Sequence, residues 1–190
     1  QWGYLGASDQ GITTTSDVTF NTITGSKLEL NDGAGGIVIT AGLPNTYRFV
    51  GIGYRVGYGL VNTAATNTGL GYQALGGAGT INAGIGYSNT AVGSYALQKI
   101  INAHDNIGIG KSSAIELTNG SDNTVVGTQA ASSLTTGNKN IIIGNQSGNG
   151  VLGSGTALID GSGNTILGSY SGFQNSDDYN SIVIGSGSVG

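Results

Sequence analysis

Cysteine is absent from this 190-residue chain, proline and histidine occur once each, and charged residues make up only 8%. Without cysteine there is neither a disulfide framework nor a thiolate metal site. With His104 as the lone histidine, no Cys/His dyad and no histidine-rich metal cluster can form. Six Lys and Arg against ten Asp and Glu leave a net charge of −4. A weakly acidic, lysine-poor surface repels phosphate backbones and offers no basic stripe, so nucleic acid is not an expected partner. No apolar run approaches the ~18 to 20 residues of a bilayer-spanning helix, so membrane insertion is not expected either. Residue 1 is Gln, which points to a piece of a longer chain.

What the chain has in quantity is glycine, 37 residues of it, beside a 37% share of hydrophobic residues. Glycine-rich disordered chains are poor in aliphatics and rich in charge, whereas here the aliphatics fall in register with the glycines. One phrase, Asn-x-x-[Ile/Val]-Gly, recurs as Asn89 to Gly93, Asn106 to Gly110, Asn123 to Gly127 and Asn140 to Gly144, each closing glycine 17 residues after the last. A fixed period of this kind marks a solenoid. An aliphatic followed by glycine extends the pattern: Ile52-Gly53, Leu70-Gly71, Ile85-Gly86, Val92-Gly93, Ile109-Gly110, Val126-Gly127, Ile143-Gly144, Leu167-Gly168 and Ile184-Gly185. The intervals are 18, 15, 7, 17, 17, 17, 24 and 17, as expected of stacked coils whose extra residues fall outside the stack.

The physical reading of the phrase is a short strand and a sharp corner. The aliphatic residue has β propensity and is expected to point into a narrow core, while glycine takes φ > 0 or admits another backbone. Asparagine tolerates the left-handed region and bonds its own backbone at turns. Weakly apolar residues after each corner, as in Gln73-Ala74-Leu75 and Gln129-Ala130-Ala131, suggest a second short strand per coil. Residues 1–46 lack the phrase and read as a connector. It holds an alternating strand over Val18 to Thr24, and a hairpin in which Lys27-Leu28-Glu29-Leu30 and Ile37-Val38-Ile39-Thr40 flank a glycine-rich loop. Pro44 marks the passage to the repeats, 47–190. One thin coil offers few inward aliphatics against the entropy of ordering its backbone, so several chains are expected to share an apolar axis.

The residues of the repeat resemble a known family. Asn89-Thr90-Ala91-Val92-Gly93-Ser94-Tyr95-Ala96-Leu97, preceded by Gly71-Tyr72-Gln73-Ala74-Leu75, resembles the "NTAVGYxAL" repeats of phage and large-virus tail-fibre proteins. These are similar in turn to the head repeats of trimeric autotransporter adhesins of the YadA type. The likeness covers roughly residues 50 to 190. It implies an all-β fold, a homotrimeric left-handed parallel β-roll or β-solenoid with a short N-terminal β region. It also implies a place on a virion, or alternatively on a cell surface, among other fibre domains and with attachment to a host-surface glycan or protein as its work. Autotransporter heads favour a shorter repeat, which sets the tail-fibre reading first. The closing Asn180 to Gly190 looks like a passage that leads toward a self-cleaving chaperone domain, and no residue here is assigned that cleavage.

Candidate sites are few. Tyr54, Tyr72, Tyr87, Tyr95 and Tyr170 lie just after aliphatic-glycine pairs and form either structural ribs stacked along the solenoid or an outward ladder for sugar rings. Asp105 and Asp122 precede the phrase, and Asp160-Gly161-Ser162-Gly163-Asn164 gathers oxygen ligands. Neither an EF-hand nor a calcium nonapeptide is satisfied, so these read as turn residues and no metal or cofactor is expected. Gly153-Ser154-Gly155 has no following helix to cradle phosphate, and His104, Asp105 and a serine lack a nucleophile elbow, so no catalytic residue is assigned.

Overall fold

The computed structural model describes residues 28–30, 37–39, 48–57, 66–76, 86–149, 159–173 and 175–188. The fold is all-β, and the described residues contain no helix. Strands β1 (Leu28–Leu30) and β2 (Ile37–Ile39) pair antiparallel with Leu28 opposite Ile39, the hairpin that their flanking positions predict. The expected strand over 18–24 and the hairpin loop lie outside the described residues.

The remaining strands are β3 (Arg48–Ile52), β4 (Thr66–Leu70), β5 (Thr90–Val92), β6 (Ile107–Ile109), β7 (Thr124–Val126), β8 (Ile141–Ile143), β9 (Thr165–Leu167) and β10 (Ile182–Ile184). They form one parallel sheet in sequence order, one strand per coil, which is a β-solenoid. The register sets like on like: Thr124 of β7 lies between Ile107 and Ile141, and Val126 between Ile109 and Ile143.

Each strand ends on a corner glycine with positive φ: Gly53, Gly71, Gly93, Gly110, Gly127, Gly144, Gly168 and Gly185. At Gly127, φ is 142°, and an added Cβ would lie on the carbonyl oxygen of Gly144 in the next coil. No other residue type fits there, since both the backbone angle and the neighbouring chain exclude a side chain. Gly86 is not one of these corners. Its carbonyl accepts Asn67 Nδ2 at 2.8 Å, and a Cβ on it would meet Ile100 Cγ2 at 2.5 Å. It stands three residues before Asn89, as Gly120, Gly137 and Gly161 stand before Asn123, Asn140 and Asn164. The intervals of 15 and 7 therefore belong to a single longer coil, and the Ile85-Gly86 pair only imitates the strand-ending phrase.

The interior also differs from the expectation, by one residue. Leu70, Ile109, Ile143 and Ile184 are exposed, and Ile52, Val92, Val126 and Leu167 are half-buried, so none of these expected core residues lies inside its coil. Ile85, the ninth, lies outside the described residues. The fully buried column is the residue before: Gly69, Ala91, Gly108, Val125, Ile142 and Ile166, with Val183 at its end. The cause is the phrase's asparagine. Strand side chains alternate, so once Asn123 points inward, Val125 must follow it and Thr124 and Val126 must point out.

Asparagine points inward because it hydrogen-bonds to its own kind. Asn67, Asn89, Asn106, Asn123, Asn140 and Asn164 are buried in one column. Asn123 Nδ2 donates to Asn106 Oδ1 at 2.9 Å and to the Gly137 carbonyl at 2.8 Å. Its own Oδ1 accepts the backbone N–H and the Nδ2 of Asn140, both at 3.0 Å. Every donor and acceptor of the amide is used, which is the condition for burying it without a large penalty. The column ends where it can no longer be extended: Phe49 is registered beside Asn67 at one end, and Ser181 takes the asparagine position at the other, giving its N–H to Asn164 Oδ1 at 3.0 Å.

After the corner the chain is not a second strand. Gln129 (φ 54°) and Ala131 (φ 47°) are left-handed, as are Gln73 and Leu75 one end away. Gln129 N–H donates back to the Lys111 carbonyl at 2.8 Å, and Ala131 N–H donates forward to Ser147 at 2.7 Å. Alternating backbone handedness coils the chain tightly while neighbouring coils supply the hydrogen bonds that a strand would otherwise provide. Ala130, Ala131 and Leu134 then close the interior opposite Val125.

Candidate functional site

The outward side of the β3–β10 sheet carries two rows of side chains. One runs Val50, Thr68, Thr90, Ile107, Thr124, Ile141, Thr165, Ile182, and the other is the row of aliphatics from Ile52 to Ile184 that precede the corner glycines. No charged residue and no amide interrupts either row. Ile109 and Ile143 are about two-fifths exposed, at 39% and 41%, and Ile182 and Ile184 at the end of the sheet reach 72% and 67%. The strip is uncharged along its length, with threonine at four of the eight levels of its first row: Thr68, Thr90, Thr124 and Thr165.

Elsewhere Ile159, Tyr54, Tyr72, Tyr87, Tyr170 and Tyr179 are exposed, and polar side chains pair from coil to coil. Lys99 Nζ meets both Glu116 carboxylate oxygens at 2.7 Å, Asn102 donates to Asn119 at 3.0 Å, and Gln146 to Gln129 at 3.3 Å. Asp160 accepts the Thr135 and Thr136 hydroxyls, each at 2.7 Å, and these bonds hold its carboxyl below the ordinary value. Asp105 and Asp122 occupy left-handed positions just before Asn106 and Asn123, a conformation that Asp tolerates. Their backbone N–H groups donate to the carbonyls of Tyr87 and His104 in the preceding coil. Among the described residues no three His, Cys, Asp or Glu gather as a metal cluster. Asp178 accepts bonds from Asn175, and residues 153–155 lie outside the described set.

The tyrosines divide into two groups. Tyr54 and Tyr72 stack at 5.4 Å, and Tyr95 meets Tyr72 edge-on at 5.2 Å, so three successive coils share one aromatic row. The Arg55 guanidinium lies 5.4 Å from the Tyr54 ring centre. The Tyr95 phenol titrates above its ordinary value, chiefly through desolvation and then through the Tyr72 phenol beside it. Tyr87 belongs to another side, where it stacks parallel on His104 at 4.7 Å while His104 Nδ1 lies 2.9 Å from Asp105 Oδ2. Tyr170 is exposed far along the roll from both groups.

Compared with protein-family models, with curated proteins and with solved structures, the chain matches none. The structure joins Tyr54, Tyr72 and Tyr95, separates them from Tyr87 and Tyr170, and turns the residues expected in the core into an outer face. The asparagine column was missed, although its signal was present: one Asn per coil at a constant place in the strand.

Proposed function

We propose that the chain is a module of a homotrimeric viral fibre, a phage tail fibre, which holds other fibre domains at a distance and presents a polar, aromatic outer surface to a host glycan or protein. The observation that supports it is the uncharged strip along the outward side of the parallel sheet, beside surfaces that carry hydrogen-bonded polar side chains and exposed tyrosines. A thin roll leaves such a strip in water only at a cost, and two further copies of the chain offer the matching surface. The reading assigns no catalytic step, metal or cofactor, and places the chain on a virion. Binding of the isolated chain to host cells and to a glycan array tests the attachment part. Saturable binding supports it, and a trimer that binds nothing reduces the role to spacing.

The spacing reading has its own support. Tyr54, Tyr72 and Tyr95 are engaged with each other, and the outer Gln98 amide is spent on Gln73 at 2.7 Å, as in a shaft stiffened by side-chain ladders. The same binding experiment separates a shaft, or an autotransporter-type adhesin head that recognises a different surface, from a tail-fibre attachment module.

A further inference from the structure

Resting on the attachment reading above, we propose that Tyr170 is the platform on which the roll takes a neutral pyranose of a host-surface glycan, and that the row of Tyr54, Tyr72 and Tyr95 is not. The two positions after each corner glycine build two columns along one side of the roll. Toward its end Thr128, Asn145, Ser169 and Ser186 make one, and Gln129, Gln146, Tyr170 and Gly187 make the other. Backbone bonds hold the second column in step. Gln146 N–H donates to the Thr128 carbonyl, Tyr170 N–H to the Asn145 carbonyl and Gly187 N–H to the Ser169 carbonyl, each at 2.9 Å.

An aromatic ring holds a sugar through its face, so the state of the faces separates the tyrosines. Tyr72 is stacked on Tyr54 and met edge-on by Tyr95, the Arg55 guanidinium lies against Tyr54, and Tyr87 is stacked on His104. Tyr170 is exposed, and among the described residues no ring or cation lies against it and its hydroxyl has no hydrogen-bond partner. The coil beyond it leaves it uncovered. The residue in step there is Gly187, with φ 64°, and a Cβ built on it would meet nothing within 4 Å.

The rim of the platform decides the ligand class. Ser169 Oγ and Gln146 Oε1 have no partner among the described residues, and the Ser186 hydroxyl reaches the Ser169 carbonyl at 3.3 Å. A pyranose is apolar across its C–H face and polar around its hydroxyl rim, so it covers the phenol ring while its hydroxyls bond these groups. An apolar protein side chain would cover the ring and leave the same groups without partners. Neither column holds a charged residue beyond Lys111, which stands three coils, about 14 Å, from Ser169. A carboxylated sugar therefore finds no cation in them, and a neutral hexose needs none.

The full chain is applied to an array of neutral-hexose and acidic glycans, and to host cells. Binding to neutral-hexose glycans is the expected result. Tyr170→Ala should weaken it about ten-fold at an unchanged melting temperature, because the ring is in contact with no other ring. Tyr170→Phe keeps the face and should keep most of the binding. Gly187→Asn, a residue that tolerates the left-handed backbone, fills the space over the ring and should weaken binding with Tyr170 still in place. Tyr72→Ala, measured below its lowered melting temperature, should bind as the parent chain does. Neutral-glycan binding that survives Tyr170→Ala, or binding confined to acidic glycans, overturns this proposal and leaves the attachment reading standing, as does attachment to cells with no glycan bound. A folded chain that binds neither glycans nor cells overturns the attachment reading, and this proposal with it.

Discussion

Replacing Asn123 by Ala tests the asparagine column at its middle. The substitution removes four hydrogen bonds: two donated by Asn123 Nδ2, to Asn106 Oδ1 and the Gly137 carbonyl, and two accepted by Oδ1 from Asn140. Asn106 Oδ1 keeps the Asn123 backbone N–H, and Asn140 Nδ2 keeps the Gly161 carbonyl, so neither is orphaned. The Asn140 backbone N–H and the Gly137 carbonyl lose their partners in a dry interior. At ~1 to 3 kcal/mol for each stranded group, the expected loss is about 4 kcal/mol, a large part of the stability of a small domain. Urea unfolding at fixed protein concentration reads it. Asn123→Asp separates the donors from the acceptors, because a carboxylate still accepts from Asn140 but points bare oxygens at Asn106 Oδ1 and Gly137. Burial raises the carboxyl above its unfolded value near 4, so the folded state binds the extra proton and stability falls as pH rises through that value. A loss below about 1 kcal/mol for Asn123→Ala, or an Asp variant insensitive to pH, would refute the view that the amide column holds the coils together.

Other outcomes follow from the same geometry. Ile109→Asp should leave the far-ultraviolet spectrum of the roll intact while dispersing the assembly, whereas Val125→Asp should unfold the chain, because only Val125 is sealed inside. Equal effects of the two would contradict the assignment of inner and outer faces. Tyr72→Ala removes ring contacts with both Tyr54 and Tyr95 and should cost about 1 to 3 kcal/mol at ~0.5 to 1.5 per pair, measured as a lower melting temperature. An unchanged melting temperature with lost glycan binding would mark these rings as a recognition ladder. The lowered Asp160 carboxyl contributes stability that is present above its unfolded value and lost as pH falls through the folded one. Asp160→Asn should remove that acid-side loss, a small one at such an exposed site, and an unaltered pH profile would show the two threonine bonds to be without effect.

The coil period and the parallel stacking were legible in the sequence because each corner needs a glycine that nothing else replaces: Gly93, Gly110, Gly127 and Gly144 recur at the spacing of one turn. The inside and outside of the strand were not. Ile109, Val126 and Ile143 are the most constant aliphatics, and assigning them inward follows from hydrophobicity alone. Asn106, Asn123 and Asn140 reverse the assignment, because a buried amide is tolerated only when the next coil carries its partner, a relation between coils rather than within one. Gln129 and Ala131 misled for a similar reason, since their left-handed backbone is held by hydrogen bonds to the coils above and below and leaves no alternation to read. The aromatic row was visible as residues, but its division into Tyr54, Tyr72 and Tyr95 on one side and Tyr87 with His104 on another depends on the 22-residue coil between Gly71 and Gly93.

Native mass measurement of the folded chain at micromolar concentration bears most directly on the claim that an uncharged face is covered by copies of itself. The account predicts a species of three times 18.9 kDa, about 57 kDa, that Ile109→Asp converts to single chains without loss of structure. A folded, soluble single copy, with Ile109, Ile143 and Ile184 left in water, would contradict it.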